Sequence, residues 1–231
     1  VSDIIKAGVL PVAIEFMDRP CIRACEAFAH ADYPDCEALL IVEVEGSEAE
    51  IDEQLGLIKQ IARGHSPVEL RESRSAEESA AIWLGRKSAF GAMGQINDYM
   101  CLDGVIPVSS LSHVLRRIGE MSKQYGLDVA NVFHAGDGNM HPLILYDANK
   151  PGDLDLCEAF GAEVLKLCVE VGGCLTGEHG VGIEKRDLMT TQFSPEDLEA
   201  QLRVKDVFDP KWLLNPAKVF PLAATEARRA A

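Results

Sequence analysis

The sequence predicts an α+β fold of ferredoxin-like type, a mainly antiparallel sheet with helices packed on one face. Three observations carry this expectation. Short β-rich apolar runs alternate with amphipathic helical stretches in the order β-α-β-α-β, a helix, then β-α-β-β-α, the pattern of split βαβ units. Asp137-Gly138 is a favoured two-residue hairpin turn, so the strands on either side of it should pair antiparallel. Neither GxGxxG nor a GxxxxGK run ending in Ser or Thr occurs, which leaves the chain without the usual phosphate loops of doubly wound folds.

Each element has its own signal. LPVAIEFMD (10–18) is a short apolar strand, and Pro20 opens the helix CIRACEAFA, with Ile22, Cys25 and Ala29 on one face. EALLIVEVEG (37–46) is the clearest strand, ended by Gly46. Ser47 and Glu50 form a capping box for a helix whose apolar stripe is Ile51, Leu55, Ile58 and Ala62, stopped by Gly64. VELRES (68–73) reads as a strand; Ser75 and Glu78 then cap a helix to about Phe90, broken by Gly91 and Gly94. YMCLDGVIP (99–107) reads as one strand, followed by a long amphipathic helix, 109–126, closed by Gly126. VANVFHAG and NMHPLILYD are two strands, and 154–173 is another long helix. CLTGEHGVG is a glycine-rich loop, Ser194 and Pro195 start a last helix ending near Phe208, and DPKWLLNPAKVFP has little periodicity.

Composition excludes several classes. The chain of 231 residues carries 37 Asp plus Glu against 22 Lys plus Arg, a formal net charge of -15. Such a surface repels nucleic acid and anionic membrane. No apolar run approaches the roughly 20 residues of a spanning helix. The seven cysteines are odd in number and include no CxxC pair, which favours a reduced, intracellular setting over a disulfide scaffold. The opening VSDIIKAG lacks a methionine, so the chain is expected to be part of a longer protein.

The chemistry concentrates in FHAGDGNMH, residues 133–141. With Asp137-Gly138 as the whole turn, His134 would face His141 directly, with Cβ atoms about 4.5–5.5 Å apart. Two imidazoles so placed can share a divalent cation. Glu178 in TGEHGVG is the best third ligand, since flanking glycines let backbone approach, and Glu178-His179 offers one ligand and one acid/base group. Two purely structural histidines and a plain glycine-rich surface turn fit the same residues.

NVFHAGDGNMHPLILYD, GGCLTGEHGVGIEKRDLM, FDPKWLLNPAKVFP and WLGRKSAFGAMGQINDYMCLDGVIP together resemble the C-terminal domain of FAD-linked 2-hydroxyacid oxidases and dehydrogenases. Within that family the resemblance is greatest to the FAD-linked subunit of bacterial glycolate oxidase, with D-lactate dehydrogenases near it. It implies a substrate, or cap, domain over 1–208 and a tail, 209–231, that returns toward an N-terminal FAD-binding domain lying outside this sequence. It implies a divalent metal, zinc or manganese, on His134, His141 and Glu178; His179 as catalytic base; Arg86 as the ligand of the substrate carboxylate; and cofactor contacts from Asn215 and Lys218. The family usually has glycine where Ala217 stands. Phe90, Cys101 and Leu143 replace polar contacts of relatives that act on longer hydroxydiacids, which points to glycolate or D-lactate.

The implied reaction is oxidation of a small 2-hydroxy acid to the 2-oxo acid by hydride transfer to FAD. The expected setting is the cytoplasm, with inner-membrane association through other subunits of a glycolate oxidase complex. Two rival readings use the same residues: a self-sufficient metal-dependent hydrolase, and a non-enzymatic ferredoxin-like interaction domain.

Overall fold

A computed structural model describes residues 1–230; Ala231, the end of the expected tail, lies outside the described residues. A short helix α1 (Ser2–Lys6) leads into strand β1 (Ala13–Asp18). Asp18 accepts a hydrogen bond from the Cys21 N–H, which caps helix α2 (Arg19–Ala29) at the point where Pro20 sets its first turn. Strand β2 (Ala38–Glu43) follows, then helix α3 (Glu48–Gly64), opened by the Ser47–Glu50 capping box. Helix α4 (Ala76–Gly94) starts where the Ser75 hydroxyl accepts from the Glu78 N–H. Strands β3 (Asp98–Cys101) and β4 (Gly104–Val105) precede helix α5 (Leu111–Tyr125), which Gly126 closes in a left-handed conformation.

Strands β5 (Val129–His134), β6 (Asn139–Met140) and β7 (Pro142–Tyr146) come next, then helix α6 (Asp153–Glu170). Helix α7 (Met189–Gln192) and helix α8 (Pro195–Phe208), capped by Ser194, lead to helix α9 (Leu222–Ala230).

Every strand pairing is antiparallel. β1 lies between β2 and β5, and β5 pairs on its other side with β6 and β7, which in turn hold β4 and β3. The mixed helical and antiparallel class is therefore the expected one, but the helices cover both faces of the sheet rather than one. Met17, Val132 and Leu143 point to one face, where α2 and α4 bring Ile22, Cys25, Ala89 and Met93. Ile14, Phe133 and Ile144 point to the other, where α5 and α6 bring Val114, Ile118, Phe160 and Val164. Successive residues of a strand alternate between faces, so β5, buried almost throughout, needs a helical layer on each.

Three other expectations change. Residues 68–73 form no strand. Val68 is 85% exposed, and Arg71 turns to Glu69 and the Asp32 carbonyl instead of a ladder. Helix α4 runs through Gly91 to Gly94, because packing of Ala89, Ala92 and Met93 outweighs the glycine's weak helix propensity, about 1 kcal/mol. The single strand expected over 99–107 is broken at Leu102-Asp103, with β3 paired to β7 and β4 to β6. The facing strand breaks at the same level, between Met140 and Pro142.

The hairpin register also differs from expectation. His134 pairs with Asn139, and the turn holds the four residues Ala135 to Gly138. Long-range bonds stretch it: Gly136 N–H donates to the Ile14 carbonyl, and Ile106 N–H donates to the Gly138 carbonyl. Gly138 has φ +70, and a Cβ there would lie 2.0 Å from the Ile106 carbonyl oxygen. Left-handed strain and overpacking each cost about 1–3 kcal/mol. Gly138→Ala should therefore destabilise the protein by at least about 2 kcal/mol in urea denaturation. A change under about 0.5 kcal/mol would show that the turn tolerates a side chain.

Candidate metal and substrate site

The break in the sheet makes the site. At the interruption the Leu102 N–H donates to the Pro142 carbonyl, and the Leu102 carbonyl accepts from His141 Nδ1 at 2.9 Å. His141 is almost wholly buried, and burial lowers its pKa, outweighing the Leu102 carbonyl and Glu178, which favour the charged form. It is thus held neutral with Nε2 free to ligate. His134 sits at the end of β5, opposite Glu15 of β1. Its Nδ1 donates to Glu15 Oε1 at 2.8 Å, which also leaves Nε2 free.

The histidines do not face each other across the turn, yet their ring centroids are 5.4 Å apart, because His141 lies two residues beyond the partner of His134. Glu178 closes the triangle. Its Oε1 is 3.1 Å from His141 Nε2 and 3.9 Å from His134 Nε2. His179 stacks on His141 with centroids 5.1 Å apart, and its Nε2 is 3.8 Å from the same oxygen. Glu178 and His179 are both exposed, so the group opens to solvent on one side.

The glycine-rich loop carrying Glu178 and His179 is held by a residue that sequence reasoning passed over. Cys174 exchanges two backbone hydrogen bonds with Val105, so the loop begins as an added edge beside β4. Gly177 comes so close to β6 that a Cβ would lie 2.6 Å from Asn139 Oδ1. The loop then wraps the Asp103 carboxylate, which is 0% exposed. Asp103 accepts from Thr176 Oγ1 at 2.5 Å, from the Gly177 and His179 N–H groups at 3.0 Å, from Glu178 N–H at 3.1 Å, and from Lys185 Nζ at 3.0 Å. Burial alone would raise its pKa, but these donors outweigh it and hold the carboxyl far below the usual carboxylate range. Asp103 lies close enough to His141, Glu178 and His179 to join a ligand set. Its oxygens are already committed to the loop, so its part is to place the ligands.

Arg86 emerges from α4 into the same region but is not free. Its Nε and Nη2 donate to Glu15 Oε2 at 3.0 and 2.8 Å, and Arg86 is 8% exposed. Glu15 thus joins Arg86 to His134. Cys101 lies within 4.8 Å of the His141 and His179 donor atoms as a thiol, its pKa pushed up by burial to about 12. Phe90 is half-buried beside Tyr99, and Leu143 is wholly buried in the layer under α2 and α4. Asn215 and Lys218 are exposed on a loop after α8. That loop docks on the segment after the glycine-rich loop, where the Ala217 carbonyl accepts from Arg186 and the Val219 N–H donates to the Gly182 carbonyl. Trp212 and Phe220 pack with Leu202, tying the expected tail to α8.

A signal for Asp103 existed in its place beside Gly104 inside an apolar run, where a carboxylate interrupts a strand. The signal for Glu15 was similar, a single acid inside AIEFMD. The donor set suits a borderline divalent cation, with two imidazoles and one carboxylate at suitable spacing and one open side.

Comparison with known proteins agrees with this architecture. The chain is 48% identical over 223 residues to the glycolate oxidase subunit GlcD of Escherichia coli strain K12, covering 96% of this chain and 45% of that protein. It is 31% identical over 231 residues to the Bacillus subtilis GlcD, covering 99% and 48%. It is 28% identical to a probable mitochondrial D-lactate dehydrogenase of Danio rerio, covering 98% and 46%. The chain therefore spans about half the length of the curated relatives it matches. In fold it resembles p-cresol methylhydroxylase with a TM-score of 0.65 at 14% identity, over 91% of this chain and 47% of that one. A 4-ethylphenol oxidase of Gulosibacter chungangensis gives 0.64 at 14% identity, over 96% and 52%. The model of FAD linked oxidases, C-terminal domain, matches residues 1–219, and the chain belongs to that family.

Proposed function

We propose that this chain is the substrate-side domain of a flavin-dependent 2-hydroxyacid oxidoreductase that oxidises glycolate or D-lactate to the 2-oxo acid. The observation that carries the reading is the convergence of His134, His141 and Glu178, with His179 beside them, in a member of the FAD linked oxidase family. In this reading residues 1–208 form the substrate domain and 209–231 the tail that meets the flavin domain through Asn215 and Lys218. The similarity to GlcD, a named subunit of glycolate oxidase, supports partner subunits; in this reading those subunits join the chain to a cytoplasmic complex at the inner membrane. No described helix is long and apolar enough to cross a membrane.

A flavin, held mainly by the companion domain and met on this chain by Asn215 and Lys218, would supply the hydride acceptor for C2 of the substrate. His134, His141 and Glu178 would hold zinc or manganese, which would supply Lewis acidity at the 2-hydroxyl. This chain's residues do the rest. His179 accepts the hydroxyl proton at Nε2. Arg86 offers its Nη1 group, the part of the guanidinium that Glu15 does not occupy, to the substrate carboxylate. Asp103 holds the backbone of Glu178 and His179 so that ligand and base keep a fixed spacing.

In the full-length flavoprotein, His179→Ala should lower kcat by about 100-fold or more with flavin content unchanged; near-normal turnover would remove His179 as the base. His134→Ala should abolish stoichiometric zinc or manganese in elemental analysis, and full occupancy would exclude His134 as a ligand. Asp103→Asn tests the loop anchor. Because the folded carboxyl is held below its ordinary pKa, its stabilisation is present above about pH 4 and lost as pH falls through the folded value. Wild type should therefore exceed Asp103→Asn in stability between pH 5 and 7, the gap narrowing only in stronger acid. A gap that widens on acidification would contradict the assignment.

A further inference from the structure

We propose that Glu15 is a positioning residue that serves both halves of the substrate site at once. One of its oxygens orients the arginine offered to the substrate carboxylate, and the other fixes the metal-ligating form of His134. The inference rests on the metal and substrate reading above and goes beyond it, because Glu15 touches neither substrate nor metal.

The geometry is specific. Glu15 is 5% exposed, on a strand whose residues Ile14 and Met17 are core. A carboxylate in that place is costly unless its charge is matched and its lone pairs are filled. Both conditions are met by residues of the site. Oε2 takes Arg86 Nε and Nη2, and Oε1 takes His134 Nδ1 at 2.8 Å. Glu15 and His134 are register partners on adjacent strands, so the ladder between β1 and β5 sets their spacing.

Two consequences follow. An imidazole that donates its Nδ1 hydrogen to a carboxylate keeps its lone pair on Nε2, the atom facing Glu178 and His141, and becomes the more basic ligand. His141 meets the same need with the neutral Leu102 carbonyl, so the two imidazoles are tuned unequally. The Arg86 fork, anchored on one oxygen by two donors, keeps its plane fixed and turns Nη1 away from Glu15. A small cavity of about 190 Å³ borders both residues, with Leu10, Pro11 and Val12 on its apolar wall, so His134 stands at an accessible edge while Glu15 stays buried behind it.

The test uses the full-length flavin-loaded protein, with Zn²⁺ affinity measured by competition against a chromophoric chelator at pH 7. Glu15→Gln should weaken Zn²⁺ binding by about 10–100-fold. It should also raise KM for the 2-hydroxy acid while flavin absorbance stays at the wild-type ratio. Since loss of the charge strands Arg86, Glu15→Asp is the second variant. It keeps the ion pair but its shorter reach loses His134, so Zn²⁺ binding should weaken with melting temperature near wild type. Folded, flavin-loaded variants that both bind Zn²⁺ within twofold of wild type would overturn the role of Glu15 and leave the metal assignment standing. A wild type that binds no Zn²⁺ would overturn both.

Discussion

The site depends on one buried carboxylate. Asp103 sits where two paired strands break together, and it gathers a hydroxyl, three backbone N–H groups and the Lys185 ammonium. An unpaired charge in that place would cost several kcal/mol, and breaking such a pair by removing one partner costs about 3–5 kcal/mol. The glycine-rich loop is therefore obliged to close over Asp103, and in closing it presents Glu178 and His179 toward His141. The break has a chemical cause on the facing strand. Pro142 has no N–H for the ladder, so the chain stops pairing at His141 and resumes one residue later. The irregular stretch so created is where the Leu102 carbonyl is free to accept from His141.

Much of the fold was legible because its signals are local. The Ser47–Glu50 box, the Ser194–Pro195 start and the Gly126 stop each depend on residues within one turn, and each lies where the pattern put it. What was not legible depends on contacts distant in sequence. VELRES has strand composition but lies exposed, with Arg71 turned to Glu69 and the Asp32 carbonyl, and Gly91 has a helix breaker's composition but a packed neighbourhood. Asp137-Gly138 favours a two-residue turn, yet Gly136 and Gly138 are bonded to Ile14 and Ile106, and those bonds open the turn to four residues. The two histidines still meet. In a sheet a shift of two residues keeps the face, so an error of that size in the register moves a side chain along the face and not through it.

The candidate site was legible in its outer parts and illegible in its supports. His134, His141, Glu178 and His179 announce themselves by residue type and by neighbouring glycines. Asp103 and Glu15 are two acids among 37, with no spacing that marks them. Each is set apart only by sitting in an otherwise apolar run, a weak cue until burial is known. The supports are also what the ligands require. A histidine's free nitrogen must be tied down if the other is to bind a metal, and Glu15 and the Leu102 carbonyl do so for the two histidines by different means.

Charge places a further constraint on the proposed chemistry. A 2-hydroxy acid is an anion, and the chain carries a formal net charge of -15. The two buried cations of the region, Arg86 and Lys185, are each already matched by a buried carboxylate, Glu15 and Asp103. Those pairs contribute no net attraction. The ligand set of His134, His141 and Glu178 with neutral imidazoles carries one negative charge, and a divalent cation among them would turn it to one positive. On the proposed reading the metal's second role is therefore electrostatic: it would give an acidic domain a local positive centre, and Arg86, anchored by Glu15, would then provide direction more than charge.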